Sequence, residues 1–145
     1  MPEKATVERA RQDRREGKAP STQAGEFVRE EMDHVREGKH GARSPEQAIA
    51  IGLSKARRAG VRLPPPKNGK ASTKRSAKQA ASRHGKKTSA KRSRAVRSAL
   101  KREGRSAASK KALSSHSRRV ARKRSASSRS AAAKKAARTR ARRSS

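Results

Sequence analysis

Paired cations recur through the second half of the chain: Lys74 and Arg75, Lys86 and Lys87, Lys91 and Arg92, Lys101 and Arg102, Lys110 and Lys111, Arg118 and Arg119, Lys134 and Lys135, Arg142 and Arg143. Arg122, Lys123 and Arg124 form a run of three, and Arg94, Arg97, Arg138 and Arg140 stand singly between the pairs. Ammonium and guanidinium groups at this density neutralise phosphates. A DNA duplex carries about one charge per ~1.7 Å of axis, and each phosphate contact releases condensed counterions. From Lys67 to Ser145 there are 29 Lys and Arg against one acidic residue, Glu103, and no Phe, Tyr, Trp, Cys or Asp. Missing aromatic rings argue against base stacking on single strands. Backbone neutralisation of a duplex remains, with these cations as the candidate nucleic-acid contacts.

Other groupings invite a chemical reading and carry less. Asp33, His34 and His40 include two imidazoles, but the histidines straddle a glycine turn and lack two further ligands, so they read as solvated side chains and no metal is expected. Glu30, Glu31 and Asp33 lie near Arg29 and Arg36 and read as a charged helix face rather than an acid/base group. His84 and His116 sit among cations with no carboxylate close in sequence. No serine has the Gly-x-Ser-x-Gly elbow of a nucleophile, and no glycine loop could cradle a phosphate. The expectation is a protein without catalytic residues, cofactor or small-molecule substrate. Phosphorylation of its many serines would cancel local charge.

The elements that must carry the cations divide the chain unevenly. The net charge is +32, yet residues 1 to 66 hold 14 basic and 10 acidic residues, an imbalance expected of a small domain with a basic extension. The absence of cysteine removes any disulfide framework. No apolar run follows Met1 and no 18-residue apolar stretch occurs, so neither a secretory signal nor membrane insertion is expected. The expected location is cytoplasmic and nucleoid-associated.

Within the first half, Pro2 to Glu16 reads as a weak helix with Val7 and Ala10 on one side, ended by Gly17; Pro20 restarts the chain, with Ser21 or Thr22 as N-cap. Gln23 to Glu37 is an amphipathic helix: Ala24, Phe27, Val28, Met32 and Val35 fall within about 140° at ~100° per residue. Gly38 and Gly41 break it. Ser44 then caps a helix with Pro45 at its first position and Gln47 placed to reach back to the Ser44 amide. That helix runs to Ala59 and stops at Gly60, with Ile49, Gly52, Leu53 and Ala56 in a narrow stripe and Ile51 roughly opposite. Val61 to Leu63 forms a short clip before Pro64, Pro65 and Pro66. Arg15-Glu16-Gly17-Lys18 and Arg36-Glu37-Gly38-Lys39 mark equivalent helix stops, echoed by Arg102-Glu103-Gly104-Arg105.

The fold class that follows is mostly α with large disorder: a small helical domain over 1–63, a proline linker over 64–66, and an intrinsically disordered basic tail over 67–145. Only Val96, Leu100, Leu113 and Val120 are large and apolar in that tail, too few to offset roughly 1 to 2 kcal/mol per residue of backbone entropy. Phe27, Val28, Met32, Val35, Ile49, Ile51 and Leu53 are the residues for helix packing or self-association, and a helical hairpin of Gln23 to Glu37 and Pro45 to Ala59, with Phe27, Ile51 and Leu53 available for a homo-oligomer, is expected over a rigid monomer.

The stretch Gln47-Ala48-Ile49-Ala50-Ile51-Gly52-Leu53-Ser54-Lys55-Ala56, within Glu26 to Gly60, resembles small bacterial proteins carrying a domain of unknown function, many with Lys/Arg/Ala-rich tails and loosely described as DNA-binding. The basic half is similar in composition to linker-histone-like bacterial nucleoproteins, without their regular Pro-Ala-Lys repeats. Together these readings predict a sequence-nonspecific, histone-like DNA-binding protein that compacts duplexes. An adaptor whose residues 22–60 hold a protein partner, or an RNA- or ribosome-associated basic protein, are the competing expectations.

Overall fold

A computed structural model of the chain describes residues 1–144. Among them are seven α-helices and one 3-10 turn: α1 (Lys4–Arg15), α2 (Pro20–Glu37), α3 (Pro45–Arg58), α4 (Ala71–Ser82), α5 (Ala90–Lys101), the turn at Ser106–Ala108, α6 (Lys110–Arg122) and α7 (Ala126–Arg143). They form two compact units, Met1–Ser109 and Lys110–Ser145.

The first unit is built on the hairpin of α2 and α3, with α1 against α2, and α4 against α3. Phe27, 1% exposed, packs with Ala10, Ala24 and Ala56, and Val7, Leu53, Ala59, Val61 and Leu63 close over this cluster. The core is therefore largely alanine. Small side chains let helices approach closely, and Gly52 is the extreme case: a Cβ added there would lie 2.7 Å from the Val28 Cα.

Local chemistry explains the helix ends. Ser44 Oγ accepts from the Gln47 amide at 3.3 Å, while Gln47 Oε1 accepts from the Arg43 amide at 2.7 Å, one residue earlier than expected. Ser44→Ala is expected to cost about 1 kcal/mol of stability, read as a lowered urea midpoint. The start of α2 departs from expectation: its N-cap is Ala19 and Pro20 opens the helix, with no side-chain cap from Ser21 or Thr22. Proline brings a preset φ and no amide to satisfy, and Gln23 secures the turn by donating to the Lys18 carbonyl at 2.9 Å. After α3, the buried Arg57 guanidinium donates to the carbonyls of Leu63 and Pro64, at 3.2 and 3.1 Å, and so ties down the clip. Burial lowers the Arg57 pKa from its ordinary value.

The disordered tail expected over 67–145 is corrected: four of the seven helices lie there. Burial of apolar side chains is not the only source of order. An α-helix satisfies its backbone hydrogen bonds internally, and Ala, Lys and Arg are among the strongest helix formers. Part of the basic half is also built into the first unit, which continues past the prolines at 64–66 to Ser109. Ala77 and Ala80 of α4 are buried. Gly41 and Ala42 donate to the carbonyls of Leu100 and Gly104, at 2.8 and 3.0 Å, and Arg36 Nε donates to the Ala108 carbonyl at 3.0 Å. In the second unit, Ser125 caps α7 by accepting from the Ser128 amide at 3.2 Å.

Candidate nucleic-acid interface

The packing residues read from the sequence sort into two groups. Phe27, Met32 and Val35 are buried inside the first unit, and Val28, Ile49, Ile51 and Leu53 are half-buried. Phe27 is thus used up in the monomer's own core and presents no surface to a second copy.

The candidate contacts lie outward. Lys74 is half-buried on α4; Arg75 is exposed, as are Lys86 and Lys87 beyond that helix. Along α5, Lys91, Arg94, Arg97 and Lys101 recur at intervals of three or four residues and share one face roughly 120° wide. Arg92 lies off that face, and Arg102 is its helix's C-cap. No residue of α5 is buried.

The second unit repeats the arrangement. On α6, Lys111, Arg118, Arg119 and Arg122 fall on one side, continued by Lys123, while Ala112, Leu113, His116 and Val120 are half-buried on another. A shallow groove is lined by Ser115, Arg118, Arg119, Arg122 and Lys123. On α7, Lys134, Lys135, Arg138 and Arg142 form a stripe about 100° wide beside Ala131 and Thr139. Lys110, Arg124, Arg140 and Arg143 are exposed outside these stripes. Lys78 and Arg129, not among the candidate contacts named from the sequence, are exposed helix residues of the same kind. Neither α6 nor α7 buries a residue, and the 36 residues from Lys110 to Ser145 hold fourteen Lys and Arg with no Asp or Glu.

The acidic residues of the first half are engaged with neighbouring cations. Glu26 pairs with Arg9 at 2.6 Å, Asp13 with Lys18 at 2.7 Å and Glu8 with Arg15 at 2.9 Å. Lys55 lies between Glu30 and Glu31, 3.3 Å from the former and bonded to the latter. Burial raises the Glu30 pKa, but hydrogen bonds from the Thr6 hydroxyl, the Glu3 amide and Lys55 outweigh it and leave the pKa below its ordinary value.

The histidines differ from expectation. His34 and His40 are only 13% exposed in their side chains rather than solvated, their ring centroids are 6.0 Å apart, and both face the buried Glu31 carboxylate. Asp33 is directed elsewhere, toward Arg36 at 3.4 Å.

This is an all-helical protein whose long cations are exposed on helices α5 to α7. Residues 3–68 match a family of unknown function, DUF6496, and the matched stretch takes in α1 to α3 and the proline segment. No curated protein and no solved structure matches the chain.

Proposed function

We propose that the protein binds duplex DNA without regard to sequence, in the manner of a histone-like, nucleoid-associated protein, and compacts it by laying cationic helices along the phosphates. The observation that carries this reading is the second unit: fourteen basic and no acidic residues, twelve of the cations on two helices with no fully buried residue. A helix some 10–12 Å across matches the ~12 Å major groove of B-form DNA. Cations recurring every three or four residues on such a helix reach phosphates from one face while others on its flanks meet the opposite strand. A-form RNA has a deep, narrow major groove that helices do not enter, which favours DNA. The exposed stripe of α5 gives the first unit a cationic face of its own, so one chain can engage separate duplex segments.

Gel-shift titrations of the full-length protein on duplex DNA and duplex RNA across a salt series test the reading. With about eight phosphate contacts, log K falls against log salt with a slope of roughly −7. Binding unchanged in half-molar sodium chloride would refute phosphate neutralisation, and equal affinity for the RNA duplex would remove the preference for DNA.

A further inference from the structure

Two imidazoles and a carboxylate converge where α2 enters its glycine turn. Glu31 and His34 are one turn apart on α2, and Gly38, at φ 79°, reverses the chain so that His40 returns to them. Each imidazole has one nitrogen already committed. His34 Nε2 is 3.0 Å from Glu3 Oε1, and His40 Nδ1 is 2.9 Å from the Gly41 carbonyl oxygen. Both partners only accept, so both of these nitrogens carry hydrogen. In the neutral rings the remaining nitrogens present lone pairs, and both face Glu31: His34 Nδ1 lies 3.8 Å from Oε1 and His40 Nε2 lies 3.1 Å from Oε2. The Glu31 side chain is 1% exposed, and its Oε2 has no hydrogen-bond donor among the described residues. One donor atom from each of the three residues thus lies within 4.8 Å of the others. Electron-rich atoms held this way in a buried place call for a cation between them.

We propose that Glu31, His34 and His40 bind one divalent first-row transition metal ion, with zinc the best match to two imidazoles and a carboxylate. Three protein ligands leave the fourth tetrahedral position to water; bonds of about 2.0–2.1 Å set ligand-to-ligand edges of about 3.3 Å, so the three ligand atoms, which lie within 4.8 Å of one another, close up around the ion. Glu3 and the Gly41 carbonyl then serve as the outer partners that orient each ring and fix its tautomer. The bound ion would clamp the α2–α3 turn, whose Gly41 amide also holds the end of α5. Lys55 opposes binding, because its ammonium sits on Glu31; the ion displaces it fully to Glu30, 3.3 Å away.

The test is titration of chelator-treated, full-length protein with zinc chloride by calorimetry and with cobalt(II) by visible absorption. One ion per chain in the micromolar range or tighter is expected, with a four-coordinate cobalt spectrum. His34→Asn and His40→Asn each weaken binding by about 100-fold or more, and Glu3→Ala by about 10- to 100-fold through the orientation of His34. Lys55→Met tightens it by about tenfold, a change in the direction opposite to that of a general loss of structure. Circular dichroism shows which variants fold; Glu3→Ala, at a half-exposed side chain, carries the test where a histidine variant does not. Absence of saturable binding by the wild-type chain overturns the site, as does binding that survives both His40→Asn and Glu3→Ala unchanged.

Discussion

Replacing Arg118, Arg119, Arg122, Lys134, Lys135, Arg138 and Arg142 together by Gln is expected to lower the affinity of the full-length protein for duplex DNA by roughly 10³-fold in dilute salt, with the slope of log K against log salt flattening by about 0.9 for each phosphate left without its cation. The seven side chains are exposed and line the two cationic stripes of α6 and α7. Gln is nearly as good a helix former as Lys or Arg, so helical circular dichroism should hold while affinity falls. That separates removal of charge from damage to structure. The matching variant on α5, with Lys91, Arg94, Arg97 and Lys101 changed to Gln, removes a comparable stripe from the first unit. A larger drop in affinity from α5 than from α6 and α7 would relocate the main contact surface; no drop from either would refute the electrostatic reading altogether.

The two halves of the chain are legible to different degrees. In the first, glycine stops, the Pro45 start and ~3.6-residue periodicity place three helices close to where they lie, because each signal acts within one turn of backbone. Gly17, Gly38 and Gly60 do adopt the positive φ that ends a helix. In the second half, sparse apolar residues point to disorder, whereas helix propensity acts without deep burial and organises α6 and α7 with no residue fully buried. The packing of Ala77 and Ala80 is hidden for a related reason: alanine carries no strong apolar signal, yet it is what fits between closely set helices. The histidine cluster reads as open in sequence because two further ligands are not evident beside it. One is Glu31, which the sequence places on a charged outer face with Glu30 although both are buried. Its spacing of three residues from His34, with Gly38 two residues before His40, is the available clue, but joining these across a chain reversal requires the third dimension.

Substitution of Gly52 is expected to damage the first unit more than any other single change on α3. The residue sits mid-helix, where replacing glycine by alanine ordinarily gains about 1 kcal/mol through reduced backbone entropy. Here an added Cβ would lie 2.7 Å from the Val28 Cα, 2.9 Å from its nitrogen and 3.0 Å from its Cγ2. Two of these three atoms are backbone, so relief requires α2 and α3 to separate, loosening Phe27 against Ala56 and Lys55 against Glu30 and Glu31. Overpacking of a close-packed core costs about 1–3 kcal/mol and more where the backbone must move; after the propensity gain, Gly52→Ala is expected to lose about 2 kcal/mol and Gly52→Val about 4 kcal/mol. Gly25 provides the internal control. It lies inside α2, is exposed, and has nothing within 4 Å of an added Cβ, so Gly25→Ala should gain about 0.5–1 kcal/mol. Urea unfolding of the full-length variants should therefore move the midpoint in opposite directions for the same chemical change. A midpoint raised by Gly52→Ala as by Gly25→Ala would mean that α2 and α3 do not meet at that glycine, and the hairpin on which the first unit is built would have to be redrawn.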